Sequence, residues 1–319
     1  MKKRILITGK SGVTGAAFQN LESEISNKYE LFFSSSSFCD LTNLQDSLNY
    51  IKDIKPNYII NLAAKSGGIG MSASSQATLL RDNLLININI LEIARKINIE
   101  KILLVLSSGI YPEKADMPFK ESSLHDGQPH VSAYGYSFAK RIIEPSIRAY
   151  REEFNLNVIG AIPNGIFGKN DNFSDDAPML PSLIRRFYMA KDNKENIEVW
   201  GDGSPLREYT YSIDVAKSFL WMIENYDEPI SINTGSTEEN SIKDIAMAIA
   251  EIMNIDSSRI IFNTDKPSGI FRKPTDNSIF INKSDFKFTL FKDGLVETIK
   301  WFDETFKNNK NDIKLTTKV

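Results

Sequence analysis

The chain has 319 residues, of which 41% are hydrophobic and 25% are charged, and this composition is typical of a water-soluble globular protein. Its formal net charge of -3 provides no basic field for nucleic acid, although a local basic site for a small anion stays open. No stretch approaches the roughly 20 apolar residues that a membrane span needs.

The cysteine, the histidines and the N-terminal residues limit which metal sites and which cellular location are expected. The single cysteine, Cys39, excludes an internal disulfide and a multi-cysteine metal site. The two histidines, His125 and His130, lie in a polar loop and are expected at the surface, so we expect no metal ion. The apolar run after Met1 is too short for an export signal, and we expect a cytoplasmic protein.

A glycine loop follows the first predicted strand. Residues 3–8 are apolar and β-branched, residues 16–25 have a helical pattern, and the three glycines between them are spaced GxxGxxG. The order strand, glycine turn, helix is typical of a dinucleotide site, because glycines let the backbone approach a pyrophosphate and the helix N-terminus offers amides. The spacing alone is also compatible with a simple tight turn. The predicted cofactor contacts here are Gly9, Ser11, Gly12 and Gly15.

The choice of cofactor depends on the residues after the second predicted strand, 31–33. An acidic residue at the tip of that strand would bind the ribose hydroxyls and select NAD, but serines 34–37 stand there. Serines can bond a 2′-phosphate, so NADP(H) is favoured, while the absence of an arginine leaves NAD open. Asp40 could reach the adenine or could cap the helix predicted from Leu44. The predicted contacts are Ser36, Asp40 and Leu41.

Three further apolar runs, residues 58–64, 102–106 and 156–163, alternate with helical patterns. This alternation predicts an α/β fold with a doubly wound, mainly parallel sheet. Small residues after the third strand allow a ligand to approach closely, and a long helix from Gln76 to Lys96 carries Asn83 towards the same side. Cofactor contacts are predicted at Ala63, Ala64 and Lys65.

Tyr136 and Lys140 lie one turn apart on the same face of a predicted helix. A free phenol titrates near ~10, and a cation beside it would favour the phenolate and bring the pKa of Tyr136 into a working range. Ser107 follows the fourth strand, where such sheets bind ligands. Taken alone, the pair is equally compatible with a tyrosine and a lysine on a half-exposed helix face.

The second half of the chain does not continue the regular alternation of apolar runs and helical patterns. A polar loop, a helix over 180–191 and a turn-rich segment around Trp200 precede a basic loop at 266–273. These features predict a smaller lobe whose arginines clamp a diphosphate, or else scattered surface arginines with Trp200 as core filling. The predicted division is a Rossmann domain over 1–168, to which later segments can return, a substrate lobe over 169–306 and a flexible tail over 307–319.

Several motifs, taken in order along nearly the whole chain, carry a family resemblance. The chain resembles the extended short-chain dehydrogenase/reductases that act on nucleotide sugars, and it is most similar to the GDP-L-fucose synthases, bifunctional 3,5-epimerase/4-reductases. The motifs are Gly9-x-x-Gly12-x-x-Gly15, Ser107-Ser108-x-Ile110-Tyr111-Pro112 and Tyr136-x-x-x-Lys140, supported by residues 63–69, 171–173, 181–187, 200–208 and 266–273.

The resemblance implies reduction of a sugar ketone by NADPH. Tyr136 would protonate the sugar O4 as hydride reaches C4, Lys140 would hold the nicotinamide ribose and lower the pKa of Tyr136, and Ser107 would bond the C4 carbonyl. It also implies a homodimer that pairs the helices near 76–96 and 134–154 in a four-helix bundle. The positions matching substrate contacts are Ser108, Asn164, Arg186, Trp200, Arg207 and Lys273.

Two departures from the family pattern change the expected reaction. The family moves protons at C3 and C5 with a cysteine just after the Ser-Ser pair and a histidine just before a later helix, where this chain has Gly109 and Pro178. Neither side chain is ionisable, so neither can shuttle a proton. We therefore predict an NADPH-dependent C4 reductase of a GDP-4-keto sugar, a 6-deoxyhexose or a bulkier heptose, without epimerase activity.

The chain differs from the family at two further places, and three other functions remain as alternatives. Ser11 replaces the family's glycine-loop arginine, and Pro163-Asn164-Gly165 replaces its Pro-Thr-Asn. A bifunctional fucose synthase would need another acid/base group. A dehydratase would want an acidic residue after the strand-end hydroxyl, where Ser108 and Gly109 stand. A non-catalytic dinucleotide sensor on the same fold would bind NADPH without oxidising it.

Overall fold

The computed structural model describes residues 2–193, 195–266 and 269–315. Pro267 of the basic-loop motif and residues 316–319 of the predicted tail lie outside the described residues. In chain order the described strands are β1 (Lys3–Thr8), β2 (Tyr29–Phe33), β3 (Tyr58–Asn61), β4 (Lys101–Val105), β5 (Val158–Pro163), β6 (Gly165–Phe167), β7 (Ile197–Trp200), β8 (Leu206–Tyr211), β9 (Ile232–Thr234), β10 (Glu239–Ser241) and β11 (Ile260–Asn263).

Helices alternate with these strands. They are α1 (Val13–Ile25), α2 (Leu44–Ile54), α3 (Ile69–Ser74), α4 (Gln76–Ile97), α5 (Tyr134–Arg141), α6 (Ile143–Phe154), α7 (Met179–Ala190), α8 (Ser212–Asn225), α9 (Ile242–Met253), α10 (Ser278–Ser284) and α11 (Phe291–Asn308). Within the described residues, none of them combines the length and the apolar character that a membrane crossing requires.

Six parallel strands form the main sheet, in the order β2-β1-β3-β4-β5-β9. The central strands are buried on both faces, as their apolar sequences require, and Ile5 of β1 pairs with Leu31 on one side and Tyr58 on the other. The predicted fold class, a doubly wound and mainly parallel α/β sheet, is confirmed. The sixth strand, β9, comes from beyond residue 168, so the later chain returns to the first sheet.

Helices cover both faces of this sheet and bury one core on each. One core includes Ile51 of α2, Ile90 of α4 and Ile147 of α6. The opposite core includes Phe18 of α1 and Phe219 of α8, both fully buried. Because every connection between the parallel strands crosses back over a face, the carboxyl ends of the strands meet at one edge, where such folds bind ligands.

The helix predicted over residues 134–154 is divided into α5 and α6 at Ile142. Pro145 lies in the first turn of α6 and has no N–H group, so the carbonyl of Arg141 loses its usual partner four residues on. The chain continues helically through Ile142, whose N–H donates to the Phe138 carbonyl at 3.0 Å. The division leaves Tyr136 and Lys140 together on α5.

A second lobe contains the remaining strands and a separate core. The strands form a three-stranded sheet in the order β10-β8-β6 and a two-stranded sheet of β11 and β7. Helices α7, α9 and α11 pack around Phe187, Ile249 and Phe302, all fully buried. The boundary between the lobes at residue 168 stays a prediction.

The segment predicted to be a flexible tail is packed in its described part. Helix α11 runs to Asn308, a 3₁₀ turn spans Lys310–Asp312, and Ile313 is 4% exposed in the core of the second lobe. The N–H of Phe173 donates to the Lys314 carbonyl at 3.0 Å. An apolar side chain and a backbone bond therefore hold this segment, which its Lys/Asn-rich composition did not reveal.

Candidate functional site

The glycine loop lies at the carboxyl edge of the main sheet, between β1 and α1. Gly9 has φ +69°, and a Cβ there would meet the Ala63 nitrogen at 2.9 Å. A Cβ on Gly15 would meet the Gly9 carbonyl oxygen at 2.5 Å, so these two positions need glycine for the loop to close. Gly12 caps α1 without a side-chain bond, which leaves the first amides of the helix to an anion such as a pyrophosphate.

Asn83, which the sequence places on this side, and two residues that it does not single out, Thr8 and Asn61, fix the loop after β3. The Thr8 hydroxyl donates to the side-chain Oδ1 of Asn61 at 2.6 Å and accepts from the Ala63 N–H at 3.1 Å. Asn83 of α4 accepts from the Lys65 N–H at 3.0 Å and donates to the Lys65 carbonyl at 2.9 Å. These buried bonds hold residues 63–65 beside the glycine loop, and asparagines within otherwise apolar elements were the available signal.

The turn after β2 lies next to the same loop. The Lys10 N–H donates to the Ser34 carbonyl at 2.9 Å, and Ser36 is exposed. Asp40 is not the cap of α2, since Asn43 accepts from the Gln45 and Asp46 amides instead. The Asp40 carboxylate accepts from the N–H and hydroxyl of Thr42, while Leu41 is 6% exposed and its carbonyl accepts from Asn89. Asp40 therefore remains at the surface on the cofactor side.

Ser107, Tyr136 and Lys140 meet at the end of β4. Ser107 begins a 3₁₀ turn over Ser108–Ile110, and its hydroxyl oxygen accepts from the Gly109 N–H at 3.2 Å. The side chain of Ser107 lies close enough to the Tyr136 phenol to favour its ionised form. Lys140 is 2% exposed and donates to the Val105 carbonyl at 2.7 Å. Two elements distant in sequence thus bring the three predicted catalytic side chains together.

The ionisation of these groups differs from the expectation. Burial raises the pKa of Tyr136, and the nearby Ser107 side chain offsets only part of that rise. Burial lowers the pKa of Lys140 to about 8, because little water solvates its charge. The expectation that Lys140 lowers the pKa of Tyr136 is wrong for the protein alone, since its ammonium bonds a backbone carbonyl and burial dominates the phenol.

Arg141, the neighbour of Lys140, fixes the strand-end turn from the other side. It is 5% exposed and donates to the carbonyls of Ile110 and Gly127, at 2.9 Å from Nε and 2.6 Å from Nη1. A buried guanidinium that bonds two backbone carbonyls holds both segments at fixed positions. The Ser107 turn is therefore held by α5 through two consecutive cationic residues, and Arg141 was not singled out from the sequence.

A second group of cations lies on the other lobe. Lys273 keeps an exposed surface, but neighbouring atoms crowd its ammonium. This crowding and, to a smaller extent, the charge of Arg207 of β8 lower the pKa of Lys273. Burial also lowers the pKa of Arg207. The pKa values of both adjacent cations are lowered, so their charged forms are disfavoured in the protein alone. A bound anion such as a diphosphate would stabilise both charges. The interaction between the two charges is consistent with the predicted basic clamp, which stays a prediction.

Arg186 belongs to α7 and contacts β7, and Trp200 is the last residue of β7. Arg186 donates to the Glu198 carbonyl at 2.8 Å, two residues before Trp200. Trp200 is 56% exposed, and the Lys266 ammonium lies 5.8 Å from its ring centroid. The alternative interpretation of Trp200 as core filling is therefore wrong. An exposed indole beside cations can stack on a planar ring.

A buried carboxyl organises the strands behind the basic pair. Glu208 accepts from the Thr275 N–H at 3.0 Å, from the Thr275 hydroxyl at 2.8 Å and from the Asn164 amide at 3.1 Å. Asn164 also donates to the Ser236 carbonyl and accepts from Thr210, and it is 7% exposed. The structure gives Asn164 a structural role, because its predicted contact with substrate would require breaking these internal bonds.

The two positions of the missing proton-transfer pair are inert in the structure as well. Gly109 is exposed in the turn after Ser107, and a Cβ there would meet only the Ser107 hydroxyl, at 3.6 Å. Pro178 is the N-cap residue of α7 and makes no side-chain cap bond. Among the described residues, no group of three or more His, Cys, Asp or Glu side chains is arranged to hold a metal ion. Proton transfer at these positions has no side-chain donor.

Comparison with known proteins agrees with this fold. Residues 5–235 match the family described as NAD dependent epimerase/dehydratase family. A GDP-L-fucose synthase from Dictyostelium discoideum is 34% identical over 310 residues, which cover 96% of this chain and 97% of that protein.

Two solved structures extend the comparison. A GDP-L-fucose synthetase from Naegleria fowleri bound to NADP is 30% identical, with a TM-score of 0.90 and coverage of 97% of this chain and 96% of that one. A GDP-mannoheptose C4 reductase from Campylobacter jejuni with NADP bound is 27% identical, with a TM-score of 0.85 and coverage of 95% and 98%. The predicted resemblance is confirmed: the chain belongs to the NAD dependent epimerase/dehydratase family and, within it, to the proteins similar to GDP-L-fucose synthases.

Proposed function

We propose that this protein is an NADPH-dependent C4 reductase of a GDP-4-keto sugar that does not epimerise C3 or C5. The observation that carries the proposal is a contrast at the end of β4. Ser107, Tyr136 and Lys140 lie together there, which supports hydride transfer, while Gly109 beside them has no side chain to move a proton. Reduction needs the first group only, whereas epimerisation needs an acid and a base at the neighbouring carbons.

The roles follow from the chemistry of the side chains. NADP(H), when bound, supplies the hydride. Tyr136 donates its phenolic proton to the sugar O4, Ser107 bonds the C4 carbonyl, and Lys140 binds the nicotinamide ribose. The first amides of α1 and the backbone of residues 63–65 hold the dinucleotide. Arg207 and Lys273 bind the diphosphate of the sugar nucleotide, and Arg186 and Trp200 face its base.

The cofactor preference is supported by the end of β2. No carboxylate follows that strand closely enough to bind both ribose hydroxyls, and the serine turn can donate to a 2′-phosphate. The predicted cofactor, NADP(H), agrees with the relatives described above, two of which carry NADP. The exact sugar is the point that needs an experiment, because Gly109 leaves space for a ring larger than a 6-deoxyhexose.

The test is reduction in deuterated water. We expect incubation with NADPH and GDP-4-keto-6-deoxymannose, or the matching 4-keto-heptose, to oxidise NADPH and to leave C3 and C5 without deuterium beyond the protein-free control. Mass spectrometry and NMR of the product measure both. The Tyr136→Phe variant serves as a second control, because it binds both ligands but reduces slowly.

Deuterium at C3 or C5 above the control would overturn the monofunctional assignment and favour a bifunctional synthase. Asp176 would then be the first residue to replace, because its carbonyl accepts from the Gly68 N–H at 3.1 Å and so lies beside the loop after β3. Binding of NADPH without oxidation by either sugar would instead favour a dinucleotide sensor.

We also propose that two copies pair through α4 and α6. Leu85 and Ile88 lie one turn apart on α4 and are 40% and 36% exposed, and Ile142 and Phe154 flank α6 at 43% and 39%. Exposed apolar groups on two helices that pack on the same face of the sheet favour a helical contact between copies.

Replacing Leu85 and Ile88 together by arginine is therefore expected to shift the protein from dimer to monomer in sedimentation velocity. The matched control is Val296→Arg, which changes a similarly exposed aliphatic residue, 40% exposed, on α11 of the other lobe. A wild-type protein that sediments as a monomer at micromolar concentration would exclude this contact.

A further inference from the structure

Lys314 links the end of the chain to the glycine loop. Its ammonium donates to the Asn170 carbonyl at 2.9 Å and to the Ser11 carbonyl, which lies between Gly9 and Gly12. Residue 11 belongs to the dinucleotide loop and residue 170 to the loop after β6. A single side chain near the C-terminus thus bridges the dinucleotide loop and the start of the second lobe.

The backbone around Lys314 is fixed, so the ammonium is held at this position. Ile313 is 4% exposed in the core of the second lobe, and the Lys314 carbonyl accepts from the Phe173 N–H at 3.0 Å. Lys314 also pairs with Asn172 as an isolated β-bridge. The residue is therefore part of the folded body and does not sample the site from a loose end.

The charge of this ammonium is incompletely balanced. A lysine has three N–H donors, and in the part of the chain that the structure describes two of them reach backbone carbonyls, which carry only partial charge. Asp171 is nearby, but its carboxylate accepts from the Asn172 N–H at 2.7 Å and makes no ion pair with Lys314 among these residues. Burial raises the pKa of Asp171 to about 7 and lowers the pKa of Lys314, so burial disfavours both charges and the attraction between them offsets only part of this effect.

We propose that Lys314 is a cofactor-binding residue whose ammonium group donates a charge-assisted hydrogen bond to a phosphate of NADP(H) on the glycine loop. This inference rests on the proposed function, because it takes the glycine loop as the dinucleotide site. It also adds a second cation, besides Lys10, beside the glycine loop. The anchored C-terminal segment then forms one wall of the cofactor groove, and the third N–H of Lys314 gains a full negative charge as its partner.

The test is the dissociation constant of NADPH and of NADH, measured by nicotinamide fluorescence on the full chain. We expect Lys314→Met to weaken NADPH binding by about 10- to 100-fold, as for loss of a charged hydrogen bond, and Lys314→Arg to stay within about threefold of wild type. Lys310→Met is the matched control, because Lys310 lies in the same segment with its ammonium 4.3 Å from the Phe306 ring centroid, and it should bind like wild type.

The two cofactors distinguish which phosphate is bound. Equal weakening of NADPH and NADH points to the pyrophosphate, and weakening of NADPH alone points to the 2′-phosphate. A direct contact also makes wild-type binding more sensitive to ionic strength than binding by Lys314→Met. Unchanged affinity in Lys314→Met, or equal loss in Lys314→Arg and Lys314→Met with unchanged salt dependence, would overturn the inference. A wild-type protein that binds neither cofactor would instead refute the proposed function.

Discussion

Replacing Tyr136 by phenylalanine is expected to reduce turnover by roughly two to four orders of magnitude while leaving the dissociation constant of NADPH within about twofold of wild type. The variant keeps the ring and loses the hydroxyl whose proton the sugar oxygen must receive. Because the phenol lies beside Ser107, its loss leaves one hydroxyl where the proposed C4 carbonyl binds. Stopped-flow measurement of NADPH oxidation with saturating sugar nucleotide gives the rate.

Tyr134→Phe provides the matched control on the same helix. Tyr134 is 46% exposed and packs on Phe138 with ring centroids 4.6 Å apart. Its hydroxyl has no part in the Ser107 turn, and we expect nearly wild-type turnover. A Tyr136→Phe protein that retained more than about a tenth of the wild-type rate would assign the proton donor to another group.

Replacing Lys140 by methionine is expected to lower kcat/KM for NADPH by about 100-fold at pH 7, because a buried ammonium no longer bonds the nicotinamide ribose. The wild-type enzyme should show a pH dependence with a definite sign. Because burial lowers the pKa of Lys140 to about 8, the charged form dominates below pH 8. We expect kcat/KM to fall as the pH rises above about 8 and to be independent of this group below it.

The variant should lack that decline, since methionine does not titrate. Lys101→Met is the matched control: Lys101 is 7% exposed and burial lowers its pKa too, but it lies at the opposite end of β4 from Ser107. Its replacement should leave the pH profile unchanged. An unaltered alkaline decline in Lys140→Met would show that another group titrates there.

Much of the main sheet could be predicted because β1, β3, β4 and β5 are apolar runs buried on both faces. The last strand could not, since β9 is Ile232-Asn233-Thr234, too short and too polar to give a periodic signal. Its polar residues are matched by tertiary partners: the Tyr111 hydroxyl donates to Asn233 at 2.8 Å. Pairing of distant segments decides such a strand, and local sequence does not encode it.

The candidate site, too, could be predicted from local sequence only in part. The spacing of Tyr136 and Lys140 placed them on one helix face, and the strand-end position of Ser107 placed it near them. The direction of the Tyr136 pKa depends on how deeply the fold buries the phenol, which no spacing reports. The resemblance predicts Asn164 as a substrate contact, but Glu208 and Thr210, far along the chain, occupy its amide.

The late arrival of β9 constrains how the chain can fold during synthesis. β5 leaves the ribosome with one edge unpaired, and the strand that covers it, Ile232–Thr234, follows only after most of the second lobe has been made. Until then that edge is open to pairing with other chains. A fragment ending at residue 168 would keep this defect permanently, so the two lobes are not separable modules for expression or grafting.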